Sequence, residues 1–166
     1  MEKKFLGTVI LPGNFDPPTV GHMNSLKYLS QRSDKVFAVI MTLKAEEGNR
    51  WIPSAEAKRL VEEAAAEERL DNVSVYVEDE GWLAHSVEAL GADGVARSFH
   101  PAIDMEKEME LIQAVIDLNV PVHLIPSQLD LRSSQIRVLS QEGLLDEVKE
   151  QVPPSVFRYL QEHGGK

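Results

Sequence analysis

Short apolar runs alternate with segments of helical periodicity along nearly the whole 166-residue chain, and that alternation leaves few folds open. Residues 5–11 are apolar and stop at Pro12-Gly13, the pattern of a buried strand ending in a turn. Residues 19–31 carry Val20, Met23, Leu26 and Leu29 at the three-residue spacing of a helix face, and 36–43 form a second apolar run. Next come a helix over 54–70, with Ser54 as its N-cap, a strand over 73–77, a helix over 83–90 and a short strand beginning at 94–96. An amphipathic helix over 105–118 leads to a fifth strand at 120–125. Three short helices follow at 133–141, 144–150 and 154–163, punctuated by Gly143 and Pro153. Strands separated by helices pair in parallel through right-handed crossovers. The expected architecture is therefore α/β, a doubly wound five-stranded parallel sheet with C-terminal helices, and ligands belong at the carboxyl ends of its strands.

Residues 1–166 fit one domain, since domains commonly run about 100 to 200 residues. The chain has no cysteine, so disulfides, thiolate metal sites and cysteine nucleophiles are excluded, and a reducing cytoplasm is the expected setting. It has no apolar run long enough to span a bilayer and no signal-peptide pattern near residue 1. A net charge of −10 argues against nucleic acid as a partner, because such binding needs a basic face. Phosphate chemistry in such a chain must rest on a few local cations.

The first strand-to-helix junction, residues 12–22, combines the parts of a phosphate site. Gly13 lets the backbone turn sharply, and the helix starting near Thr19 aims N–H donors and a positive dipole end at the same place. Thr19 and His22 lie three apart and share one face of the first turn. This junction resembles the nucleotidyltransferase superfamily marked by an H/T-x-G-H signature, here Thr19-Val20-Gly21-His22, after a P-G-x-F-D-P turn, here Pro12-Gly13-Asn14-Phe15-Asp16-Pro17. The resemblance assigns His22 a hydrogen bond to the nucleotide's α-phosphate and places Gly13, Asn14, Phe15 and Thr19 at the nucleotide. Read from the residues alone, His22 is also compatible with a helix histidine satisfied by a neighbour.

Two further blocks resemble the bacterial phosphopantetheine adenylyltransferases within that superfamily. Residues 96–109 match a strand ending in R-G-L-R and a helix of pattern D-x-E-x-E-M: Arg97 falls on the first Arg, Glu108 on a Glu that contacts ATP, and His100 on the second Arg. Without the resemblance, Arg97 also reads as a strand-end partner for Asp104 or Glu108. Residues 130–137 resemble I-S-S-S/T-x-x-R/K at a helix N-terminus, which assigns Ser133, Ser134 and Arg137 to the β- and γ-phosphates; Ser before a helix is also an ordinary N-cap. A family Lys that spans donor and acceptor phosphates corresponds to Lys44, with Arg50 in reserve in a loop about two residues longer. Asn14, Lys44, Trp82, Leu83 and His100 are the candidate acceptor contacts.

The implied reaction is in-line attack by an acceptor phosphate oxygen on the α-phosphorus of ATP, with release of pyrophosphate and no covalent enzyme intermediate. Mg²⁺ is expected to arrive with ATP, and no metal site of the protein's own is expected. The resemblance implies 4′-phosphopantetheine as the acceptor and a homo-oligomer, a hexamer. Asn14 stands where Thr or Ser is common, His100 replaces Arg, and Val115 falls where an Asn holds the pantetheine arm. The alternatives are a pyridine mononucleotide (nicotinate or nicotinamide) adenylyltransferase, echoed by 131–137 and 152–160, and an ATP-binding regulator that has lost transfer.

Overall fold

The structure, a computed structural model, describes residues 5–99, 105–126 and 133–163. In chain order the elements are β1 (Thr8–Gly13), α1 (Val20–Ser30), β2 (Lys35–Met41), a short 3-10 helix (Lys44–Asn49), α2 (Ser54–Glu67), β3 (Val73–Glu78) and α3 (Leu83–Leu90). They continue with β4 (Gly94–Phe99), α4 (Met105–Ile116), β5 (Val122–Pro126), α5 (Ser133–Gln141), α6 (Leu145–Val148) and α7 (Pro154–His163). The five strands form one parallel sheet in the order β3-β2-β1-β4-β5. This is the doubly wound α/β architecture that the alternating pattern predicts.

The sheet sorts its side chains by the two-residue period of a strand. Val9 and Leu11 of β1, with Val36, Ala38 and Ile40 of β2, face one layer, where Met23, Leu26 and Leu29 of α1, Leu60 and Val61 of α2, and Val156 and Leu160 of α7 cover them. Ile10, Val39 and Val95 face the other layer and meet Leu83, Val87 and Leu90 of α3 and Val115 of α4. Val115 thus belongs to the core. Each large side chain among them contributes about 1.5–3 kcal/mol on burial.

Several details depart from the sequence expectations: β2 ends at Met41, α2 ends at Glu67, β5 begins at Val122, and the 3-10 helix was not expected. The first strand begins at Thr8 rather than at Phe5, which is 95% exposed: Gly7, at φ 65°, turns the chain, and Asp93 accepts the Thr8 N–H at 2.9 Å. Ser54 is the first residue of α2 and not its cap; Pro53 holds the cap position, and the Ser54 N–H donates to Glu47 at 2.6 Å. Strand β4 runs past Ala96 to Phe99, its polar Arg97 and Ser98 included, because β5 supplies a full parallel partner over that stretch. Helix α6 is shorter than expected, ending at Val148.

The sheet opens where it is needed. The pairing of β1 with β2 continues to Gly13, whereas that of β1 with β4 covers only Val9 and Ile10. Pro12 has no N–H for a ladder, and beyond Ile10 the two strands part. The chain winds outward in both directions from β1 and β4, so the gap lies at the switch point where doubly wound sheets bind ligands.

Candidate active site

A cavity of about 780 Å³ fills that gap. The end of β1 and the following turn supply Gly13, Asn14, Phe15 and Asp16; α1 supplies His22 and Ser25. The end of β4 gives Arg97 and Ser98, and the start of α5 gives Ser133, Ser134 and Arg137. Thr42, Glu46, Asn49 and Arg50 close the remaining side.

His22 is fixed by its own helix. Thr19 is the N-cap of α1, its hydroxyl accepting the His22 N–H at 3.3 Å, while the Thr19 N–H donates to His22 Nδ1 at 3.0 Å. This is a capping box with histidine where Glu or Gln is usual. Nδ1 is therefore an acceptor, and the proton of the neutral ring lies on Nε2. Desolvation, reinforced by the Arg97 charge, lowers the His22 pKa to about 4. At neutral pH the ring is an uncharged N–H donor of settled tautomer. Phe15 stacks against it with centroids 4.4 Å apart, and Phe15 is fully buried at φ 49°. A left-handed conformation costs a residue with a Cβ roughly 1–2 kcal/mol, which this packing must offset. A Cβ at Gly13 would stand 3.2 Å from the Phe15 ring and 3.8 Å from His22 Nε2, so glycine keeps the backbone beside the imidazole open.

Asp16 ties the turn to its surroundings. Its buried carboxylate accepts the N–H groups of Trp51 (3.0 Å) and Ile52 (2.8 Å) and pairs with Arg137 at 3.4 Å. Arg50 reinforces the junction: Nε donates to the Ile52 carbonyl at 2.9 Å and one terminal nitrogen to the Asn14 carbonyl at 2.8 Å. The other terminal nitrogen makes no hydrogen bond among the described residues. Ser133 donates to the Pro17 carbonyl at 3.1 Å, which docks the start of α5 on the same turn.

Of the predicted contacts, Gly13, Asn14, Phe15, His22, Arg97, Ser133, Ser134 and Arg137 come together at the cavity. Thr19 acts behind His22, as its cap. Lys44 does not join them: its side chain is 75% exposed and lies 3.6 Å from Asp79, while Arg50, the reserve candidate, lines the cavity. Trp82 is 66% exposed and Leu83 packs against the second core layer, so neither lines the cavity. His100 and the side chain of Glu108 lie outside the described residues. Sequence reasoning missed Ser25, Thr42, Glu46 and Asn49, and gave Asp16 no role. Only Ser25 carried a readable signal, its position three residues after His22.

The family model described as cytidylyltransferase-like matches residues 10–138, from β1 into α5. The chain belongs to this family. As a cytidylyltransferase-like protein it is a nucleotidyltransferase, and its cavity lies on matched elements. It is 30% identical over 158 residues to the phosphopantetheine adenylyltransferase of Latilactobacillus sakei, covering 92% of each chain. To that of Staphylococcus carnosus it is 27% identical over 162 residues, covering 95% of this chain and 96% of the relative. Among solved structures, a putative nicotinate-nucleotide adenylyltransferase from Vibrio parahaemolyticus superposes with a TM-score of 0.65 at 18% identity, over 95% of this chain and 99% of its own. That likeness shows the shared nucleotidyltransferase fold. No helix among the described residues is long and apolar enough to cross a membrane.

Proposed function

We propose that this nucleotidyltransferase moves AMP from ATP to 4′-phosphopantetheine, giving dephospho-CoA and pyrophosphate. The observation that carries the reading is the fixed Nε2–H donor of His22 at the lip of β1, in one cavity with Arg97. The names of relatives similar over more than nine-tenths of the chain support the acceptor.

An oxygen of the acceptor phosphate attacks the α-phosphorus of ATP. As the new P–O bond forms, the bond to the bridging oxygen of the β-phosphate breaks, and pyrophosphate leaves with that electron pair. His22 donates to an α-phosphate oxygen as charge builds there, a role that requires a neutral ring with its proton on Nε2. The start of α5, with Ser134 and Arg137, receives the β- and γ-phosphates. Arg97 supplies a planar fork of donors, and Arg50 takes the place first assigned to Lys44, facing the acceptor phosphate from across the cavity. The protein's part is positioning and charge stabilisation. Mg²⁺ would offset triphosphate charge: it commonly takes one or two carboxylates plus substrate phosphates, and of the two carboxylates lining this cavity Asp16 is engaged with Trp51, Ile52 and Arg137, which leaves the exposed Glu46 to hold it.

A pyrophosphate-release assay tests this reading, with ATP or CTP against phosphopantetheine, nicotinate mononucleotide and nicotinamide mononucleotide. Release is expected with ATP and phosphopantetheine. Release with CTP alone would overturn adenylyl transfer, and release only with a pyridine nucleotide would overturn the acceptor. ATP binding without release on any acceptor would make the chain a nucleotide-binding regulator.

A further inference from the structure

Ser25 stands out among the buried polar residues. It lies on α1 three residues after His22, on the same face and one turn further along the helix. Its neighbours Met23, Leu26 and Leu29 are buried in the first core layer, and Ser25 itself is only 3% exposed. Serine in a helix interior is a poorer helix former than alanine, so packing and propensity alone would favour alanine here. Yet the Ser25 hydroxyl makes no hydrogen bond among the described residues. Ser33 and Ser140 also lack partners, but their hydroxyls are sealed from solvent. Ser25 differs in lining the cavity, on the face that carries His22.

We infer that Ser25 is a further contact to the donor nucleotide, its hydroxyl hydrogen-bonding a polar group of the nucleoside triphosphate whose α-phosphate His22 meets. The shared chemistry is an oxygen-rich group, either a sugar hydroxyl or a phosphate oxygen. This inference rests on the reading of the cavity as an ATP site. It adds a residue on α1 beyond the signature, at a depth where the cavity is walled by the first core layer.

Calorimetric titration of the full chain with ATP, 2′-deoxy-ATP and 3′-deoxy-ATP tests it, on the wild-type protein and on Ser25→Ala. The substitution shortens the side chain inside a helix and favours helix formation, so the melting temperature should hold or rise. ATP binding by Ser25→Ala should weaken about 3- to 10-fold, the worth of one hydrogen bond between uncharged groups or somewhat more. A loss that disappears with one deoxynucleotide supports contact with that sugar hydroxyl; a loss that persists with both supports contact with a phosphate. Equal ATP affinity of the two proteins would show that solvent satisfies the hydroxyl and would overturn the inference. If the wild-type protein binds no ATP at all, the reading of the cavity fails and this inference fails with it.

Discussion

The β1–α1 junction and the segment between β2 and α2 both line the cavity and are held in different ways. At the junction the contacts are local: Thr19 caps and orients His22 three residues away, and Phe15 stacks on the same ring. The segment from Lys44 to Ile52 is placed by distant groups. Asp16 takes the N–H groups of Trp51 and Ile52, and Arg50 reaches back to the carbonyl of Asn14. The difference explains why one loop holds two cations of unequal standing. Arg50 is bonded to the turn between β1 and α1, while Lys44, six residues earlier, reaches Asp79 in the open. The cap that Thr19 makes for His22 can be read from spacing, but the bonds that Asp16 and Asn14 make to residues 50–52 cannot.

Substitutions sharpen this contrast. His22→Ala should lower turnover by roughly 10²- to 10³-fold with little effect on ATP affinity, by analogy with removal of a donor to a developing oxyanion. Turnover within about threefold of wild type, on the same scale, would remove His22 from the mechanism. Asp16→Ala strands two backbone N–H groups and should cost about 2–4 kcal/mol in a denaturant titration, with Asp16→Asn recovering part of the loss through its one remaining acceptor. An unchanged midpoint would mean that the segment holds itself. Arg50→Ala should reduce kcat/KM by about 10- to 100-fold, the worth of a charge-assisted hydrogen bond, whereas Lys44→Ala should change it by less than about twofold, as for an exposed ion pair. The reverse ranking would show that the loop rearranges when substrate binds.

Much of the scaffold was legible because burial imposes its periodicity on the chain. Val9, Ile10 and Leu11 announce a strand covered on both faces, and α5 and α7 fall on their predicted bounds. Strand β4 was under-read because Arg97 and Ser98 interrupt the apolar run, and their strand conformation comes from pairing with β5. The strand order depends on which helix covers which face, which no single periodic segment records. At the site, the P-G-x-F-D-P turn and T-x-G-H spacing marked the junction. That Arg50 and not Lys44 lines the cavity depends on its long-range bond to Asn14, and the tautomer of His22 on the position of the Thr19 N–H. Ser133 shows the limit from the other side, since its hydroxyl serves Pro17 rather than pointing into the cavity as a donor.

The protonation of His22 links the local junction to both stability and function. The pKa of the ring falls from about 6.5 in the unfolded chain to about 4 in the folded one. Between these values the unfolded chain takes up a proton that the folded one refuses, so this group's contribution to stability is present above about pH 6.5 and is lost as the pH falls toward 4. The most direct test is an NMR titration of the imidazole nitrogens in the ligand-free, labelled protein, with His22→Gln to assign the signals. The account predicts a neutral ring protonated on Nε2 at pH 6 to 8, with a midpoint near 4. A midpoint near 6.5, or a neutral ring protonated on Nδ1, would contradict it.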